Sequence, residues 1–390
     1  MKKVAVVSCY FQNNYGSMLQ ALATQEFLNL QKIPNETINI DGFKKEIHDA
    51  KLKYFKSRIF SADVIKDKLG FVRLTAAKKL NRKLGKNIAL RHQKFDAFSA
   101  KRFHLSKTYA SKAELGKQSE NYSAFLVGSD QLWLPSNIAA DYYTLNYVPE
   151  HVRKIAYATS FGVASLPEKQ AEMAKKFLPR IDFLSVREKT GQKLIKELTG
   201  LEARLVCDPT LILTRMEWAS LIENKRLIQE KYIFCYFLGN NQLSRECAKL
   251  LREKTGYKIV ALQQMDMYIR SDENFADFAP YETDPADFVN LIRHASFVCT
   301  DSFHGTVFSL IHHKRFFSFR RFVKNSTMST NNRLDSLLSI LGLENRIINE
   351  PADFKTALSS QIDYEAVEEK LNDFRKDSIT FLKESLEGLE

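Results

Sequence analysis

The stretch Leu291–Arg321 reads LIRHASFVCTDSFHGTVFSLIHHKRFFSFRR. After the end of a helix, Phe297-Val298-Cys299-Thr300 is an apolar run long enough for a buried strand, and the polar turn Asp301-Ser302-Phe303-His304-Gly305 follows it. Apolar residues then recur at helical spacing through Val307, Phe308, Leu310 and Ile311, and Phe316 to Phe319 is strand-like again. The pattern predicts strand, tight turn, helix and strand, a βαβ unit with its polar turn at the carboxyl end of the first strand. Open α/β sheets bind ligands at that end, because backbone N–H groups of the helix start point outward there. Asp301, Ser302 and His304 bring three chemically useful groups to the turn, and Gly305 is expected to let a ligand approach closely. Plainer roles compete: Ser302 as a helix cap and His304 as an ordinary surface imidazole. The downstream cations Lys314, Arg315, Arg320 and Arg321 favour a site for a phosphorylated or carboxylated ligand.

The same grammar recurs along the chain. Val4 to Ser8 reads as a first strand; Cys9 to Gly16 is a loop, and a helix starts near Ser17, placing Asn14 and Gly16 at a strand-to-helix switch. Because this loop is not GxGxxG, it does not mark a dinucleotide site. Ser123 to Val127 reads as a buried strand with Gly128-Ser129-Asp130 as its exit loop. Arg187 directly follows the short apolar run Phe183 to Val186, where a guanidinium is placed to meet an anion or a helix end. Arg204 to Cys207 closes this half at Asp208-Pro209, and a second set of alternating strands and helices begins at Tyr232. Two such sets predict an α/β protein of two doubly wound, Rossmann-like domains facing a cleft. We expect the first domain over 1–215, with a basic helical insertion at about 44–105, and the second over 216–350. Helices over 351–390 are expected either to fold back on the first domain or to form a dimer contact.

Composition bounds the partners. A chain of 390 residues with 44% hydrophobic and 27% charged residues fits a soluble two-domain protein, and no apolar run approaches the roughly 20 residues of a membrane span. The start, MKKVAVVSCYFQNNYGS, reads as a strand and not as a signal peptide. Five scattered cysteines without CxxC spacing suggest buried thiols, no structural zinc and a reducing cytoplasm. The charge is concentrated: between Lys51 and Arg102, sixteen Lys and Arg stand against Asp63, Asp67 and Asp96, in a chain whose net charge is +12. Ile65, Leu69, Val72, Leu74, Leu80 and Leu84 suggest amphipathic helices there. That segment reads as a contact for an anionic membrane surface or as a solvated face whose long stems cover apolar surface. Nucleic acid is not expected.

Several stretches together resemble the polysaccharide pyruvyl transferase family: NNYGSMLQALA, AFLVGSDQLW, SVREKTG, CDPTLIL, DPADFVNLIRHASFVCTDSFHGTVFSLIHHKRFF and NNRLDSLL, in the family's order over residues 10 to 340. The resemblance implies a fold similar to the two-domain B-type glycosyltransferases. It also implies transfer of the enolpyruvyl unit of phosphoenolpyruvate onto two sugar hydroxyls as a ketal, with release of phosphate. By the resemblance, Arg187 holds the donor, and Ser302, His304 and the N–H groups around Gly305 meet its phosphate. His304 is the expected general acid and Asp130 the expected base. Asn14, Gly16, Asp130 and Arg333 line the acceptor side. The chain departs from the family where Gly128-Ser129-Asp130 replaces a glycine run and Phe303 replaces an arginine before the histidine.

The scheme requires no metal and no cofactor beyond phosphoenolpyruvate as donor substrate, since cationic side chains supply the charge stabilisation. The acceptor is expected to be a sugar or a lipid-linked oligosaccharide precursor of a cell-surface polysaccharide. The location is then cytoplasmic, with the basic segment 51–102 as a peripheral contact to the inner membrane face. Two alternatives use the same residues: a glycosyltransferase with a nucleotide-sugar donor, and a non-catalytic protein that holds an anionic glycan.

Overall fold

A computed structural model of the chain describes residues 2–57, 82–264, 269–321 and 332–389. Two compact units emerge. The first comprises Met1–Ile59, Lys101–Leu213 and Leu371–Glu390, and the second Phe60–Ala100 and Thr214–Lys370.

The first unit holds six parallel strands: β1 (Lys3–Val7), β2 (Asn35–Thr37), β3 (Tyr122–Asp130), β4 (Arg153–Thr159), β5 (Phe183–Val186) and β6 (Arg204–Leu205), in the order β2-β1-β3-β4-β5-β6. The central strands are continuous apolar runs, Val4 to Val7 and Ala124 to Val127, because helices cover both faces and leave no solvent side for polar residues. The order doubles back once, so the topological switch point lies between β1 and β3. The sequence reading ended β3 at Val127; the strand runs on through Asp130, which pairs in register with Thr159 on β4. Asp130 has φ +76, a left-handed conformation in which the chain leaves the sheet. The end of helix Tyr364–Leu386 belongs to this unit from Leu371. Ser378 Oγ accepts from Cys207 N at 2.8 Å, Arg375 Nε donates to Leu211 O at 2.7 Å, and Arg204 pairs with Asp377 and Glu384.

The second unit holds five parallel strands: β7 (Tyr232–Tyr236), β8 (Lys258–Ala261), β9 (Phe297–Thr300), β10 (Arg315–Phe319) and β11 (Ile347–Ile348), in the order β11-β10-β9-β7-β8. Its switch point lies between β7 and β9. Helices Pro285–His294 and Phe303–Ile311 flank β9 in sequence, so the stretch that opened the reading is the βαβ unit it promised. Both units are therefore doubly wound, Rossmann-like α/β folds.

The basic segment divides differently from the expectation of one insertion in the first domain. Helix Lys44–Lys56 belongs to the first unit, whereas helix Arg82–Arg102 belongs to the second as far as Ala100. The cause is visible at Arg91, which is buried. Its guanidinium donates to the carbonyls of Gln263 (2.7 Å), Pro280 (2.8 Å) and Tyr281 (3.4 Å) and lies 4.8 Å from the Tyr281 ring centre. Ile88, Phe95 and Phe98 continue that buried stripe at helical spacing. Ile65, Leu69, Val72, Leu74 and Leu80 lie outside the described residues. All five thiols are buried, and none is in a disulfide. No helix among the described residues is long and apolar enough to cross a membrane.

Candidate active site

The carboxyl edge of the first sheet carries a charged cluster built on four strand exits. Arg187, just past β5, donates from one terminal nitrogen to Asp130 Oδ1 at 2.7 Å and from the other to Asp208 Oδ2 at 2.6 Å. Glu188 lies 4.0 Å from its Nε. Burial alone would lower the Arg187 pKa, but Asp130, Asp208 and Glu188 outweigh it and hold the guanidinium above its ordinary value. Asp208 is fixed in turn by Thr210, whose N–H (3.0 Å) and hydroxyl (2.7 Å) both donate to Oδ1.

Asp130 spans the switch point. While Oδ1 meets Arg187, Oδ2 accepts from Ser17 Oγ at 2.6 Å on the helix that follows β1. That helix, Tyr15–Leu30, is capped by Asn14, whose Oδ1 accepts from Ser17 N at 3.1 Å; Gly16 is buried in its first turn. Gln20 ties the two exits together, accepting from Ser129 N at 2.8 Å and donating to Ser17 O at 2.8 Å. Within the cluster the Arg187 and Asp208 side chains are 1% and 0% exposed, but Asp130 is 14% exposed. Asp130 is thus the outward face of the cluster. Cys9, also at this edge, is buried, and both burial and Asp130 push its thiol up, away from nucleophilic ionisation.

The carboxyl edge of the second sheet carries the turn after β9. Asp301 does not project as a reactive group: its carboxylate accepts from Leu238 N at 2.6 Å and Gly239 N at 2.8 Å, bracing the exit of β7 across the switch point. Ser302 caps helix Phe303–Ile311 by accepting from Gly305 N at 3.3 Å. Gly305 packs closely on β9: a Cβ there would lie 2.4 Å from Thr300 Oγ1. His304 is buried in the first turn, edge-on to Phe303. Arg333, buried on helix Asn332–Leu341, sets its guanidinium 5.6 Å from the Phe303 ring centre. Arg321 packs at this edge beside Gly239, and Arg320 is held by Asp335 and Asn349, each at 2.8 Å. Lys314 and Arg315 do not belong here, because the helix carries the chain back to the amino-terminal edge before β10 begins.

Each predicted residue therefore falls at one of two strand edges: Asn14, Gly16, Asp130 and Arg187 in the first unit, Ser302, His304, Gly305 and Arg333 in the second. Sequence reasoning missed Ser17, Gln20 and Asp208 as members of the first cluster. Asp208 was legible in kind, since it too follows an apolar run at a strand exit of the same sheet.

A family model described as polysaccharide pyruvyl transferase matches residues 14–321, which include both clusters except Arg333. The chain belongs to the polysaccharide pyruvyl transferase family. Membership makes this family member a transferase that modifies polysaccharide. No curated protein matches it in sequence. Among solved structures it is similar to the UDP-GlcNAc 2-epimerase of Methanocaldococcus jannaschii, at 12% identity, with 100% of both chains covered and a TM-score of 0.49. It is also similar to the ADP-heptose lps heptosyltransferase II of E. coli, at 11% identity, with 97% of this chain and 99% of that chain covered and a TM-score of 0.37.

Proposed function

We propose that this family member transfers the enolpyruvyl unit of phosphoenolpyruvate onto two hydroxyls of a sugar in a polysaccharide precursor, forming a ketal and releasing phosphate. The observation that carries the reading is the turn of His304 at the start of helix Phe303–Ile311, within the segment the family model matches, with Arg333 set over Phe303 beside it. A helix N-terminus with a nearby guanidinium suits a donor that bears both phosphate and carboxylate. His304 delivers a proton to the methylene carbon, which becomes a methyl group. A sugar hydroxyl adds to the adjacent carbon as it gives up its proton to a base, the part the resemblance implies for Asp130. A second hydroxyl then displaces phosphate, and its proton leaves with the departing dianion. Arg333 over Phe303 supplies a cation at the turn where other family members carry an arginine.

For Arg187 we propose a different part from the one the resemblance implies. Its two terminal nitrogens each meet a carboxylate and Glu188 lies 4.0 Å from Nε, so its charge is already engaged by acids of its own unit. In this reading Arg187 and Asp208 position Asp130. Thermal stability with phosphoenolpyruvate, and separately with nucleotide-sugars, tests the proposal. A midpoint raised by phosphoenolpyruvate and unchanged by nucleotide-sugars is expected, because a ligand that binds only the folded state stabilises it by mass action. A shift with nucleotide-sugars alone would make this a glycosyltransferase.

A further inference from the structure

The amino-terminal edge of the second sheet, opposite the Asp301 turn, gathers cations that the proposed reaction does not use. Helix Arg215–Leu221 lays Trp218 edge-on against Phe308, with 5.0 Å between ring centres, and Phe308 stacks on His312 one turn further on. Arg293, in the last turn of helix Pro285–His294, donates from one terminal nitrogen to Ile222 O at 3.3 Å and to Asn290 Oδ1 at 3.1 Å. These contacts pack helix Arg215–Leu221 against the last turn of helix Pro285–His294 and against the helix that ends at His312, and Arg215 lies one turn before Trp218 on the packed face. Arg293's other terminal nitrogen and His312 Nε2 are both buried with no hydrogen-bond partner among the described residues. Lys314 is half-buried, and neither it nor Arg215, Arg293 or His312 forms an ion pair with a described residue.

The bland reading is that these cations answer helix carboxyl ends, where positive charge is favourable. It accounts for one nitrogen of Arg293 and for the position of His312 as a helix cap. It leaves two buried polar nitrogens unsatisfied, an arrangement native structures rarely keep. Two acids on adjoining elements are engaged elsewhere: Glu368 with His313 at 2.9 Å, and Glu217 in the capping box of Thr214. The electrostatics agree. Burial, then Arg293, Lys314 and Arg215, pull the His312 pKa down to about 3, while burial and Arg215 lower those of Arg293 and Lys314. Arg215, Arg293 and Lys314 repel one another beside the neutral His312, and none of them forms an ion pair with a described acid.

We propose that Arg215, Arg293, His312 and Lys314 form a second anion site that takes a tetrahedral phosphate-class oxyanion, separate from the candidate catalytic edge. Donors converging from three elements suit an ion with several acceptor oxygens and more than one negative charge. The free ion and an esterified phosphoryl group share that chemistry.

Thermal unfolding of the full chain with inorganic phosphate, and separately with glycerol 3-phosphate, at constant ionic strength adjusted with chloride, tests the site. The parent midpoint should rise saturably with at least one of the two. The Arg215→Ala/Lys314→Met double variant should need at least tenfold more ligand for the same rise, whereas His304→Ala should keep it. Without ligand the double variant should melt no lower than the parent, since a repulsion has been removed. A shift lost in the double variant supports the site, and the probe that produces it tells the free ion from the ester. Absence of any saturable shift in the parent, or a shift fully retained in the double variant, overturns the proposal.

Discussion

The two switch points use the same topology and opposite chemistry. Between β1 and β3, Asp130 meets a hydroxyl and a buried guanidinium and keeps an exposed face. Between β7 and β9, the carboxylate of Asp301 is taken up by two backbone N–H groups of the adjacent strand exit. The second unit spends its switch-point acid on architecture, and the proposed chemistry falls to the helix start beside it. The other builds a positioned carboxylate backed by two more. An acid at the carboxyl end of a strand is therefore a place for chemistry, and its partners decide whether chemistry happens there.

The largest effect should come from removing the cation behind Asp130. Arg187→Met leaves Asp130, Asp208 and Glu188 facing one another in a buried setting, and breaking one side of such a pair costs about 3–5 kcal/mol. Urea unfolding should show this as a lower midpoint at unchanged slope. If stability were unchanged, Arg187 would not be the keystone of the first edge, and a direct role in holding the donor would return.

Next come the two acids themselves. Asp130→Asn should lower turnover by about 10²–10⁴, the usual contribution of a positioned proton acceptor, with a smaller loss of stability. Asp301→Asn should do the reverse. It turns one acceptor oxygen into an amide facing an N–H donor, at a cost of about 1–3 kcal/mol, while the turnover of the folded fraction stays near that of the parent. Unfolding curves and phosphate release measured on the same preparations make the comparison direct. If the effects ran the other way, the chemistry would belong to Asp301.

Gly305→Ala sharpens the second edge. The added methyl meets Thr300 Oγ1, which donates to Tyr236 O at 2.7 Å and accepts from Ser302 N at 3.0 Å, so neither side yields without losing a hydrogen bond. Overpacking of this kind costs about 1–3 kcal/mol. A midpoint equal to that of the parent would contradict the packing role.

Much of this was readable because each central strand is an apolar run that ends in a polar turn, a local signal that survives without tertiary information. Phe297–Thr300 and its turn are the clearest case, and they located one candidate edge. What stayed hidden depends on sheet order. Arg187, Asp130 and Asp208 lie at the ends of three different strands, and nothing in their spacing says that a buried guanidinium will sit between two carboxylates. The count of downstream cations misled for a similar reason: nine residues of helix return Lys314 and Arg315 to the opposite edge, a consequence of helix length that the charge pattern obscured. The basic segment misled too, since Arg91 is a buried clamp on three carbonyls and not a surface charge.

The smallest effect is expected at the two helix starts. Asn14 and Ser302 each cap the helix beside a switch point, at 3.1 and 3.3 Å, and Asn14→Ala or Ser302→Ala should each cost about 1 kcal/mol, with glycine costing only a few tenths. Glycine is the informative substitution, because it removes the side-chain oxygen while sparing most of the stability. If Ser302 only caps, Ser302→Gly should leave the apparent affinity for phosphoenolpyruvate unchanged. A fall in affinity at near-parent stability would mean that its hydroxyl touches the donor. Asn14→Gly is the control in the first unit: it should leave donor affinity alone, and a loss there would move the donor to the first edge and undo the division of roles between the two sheets.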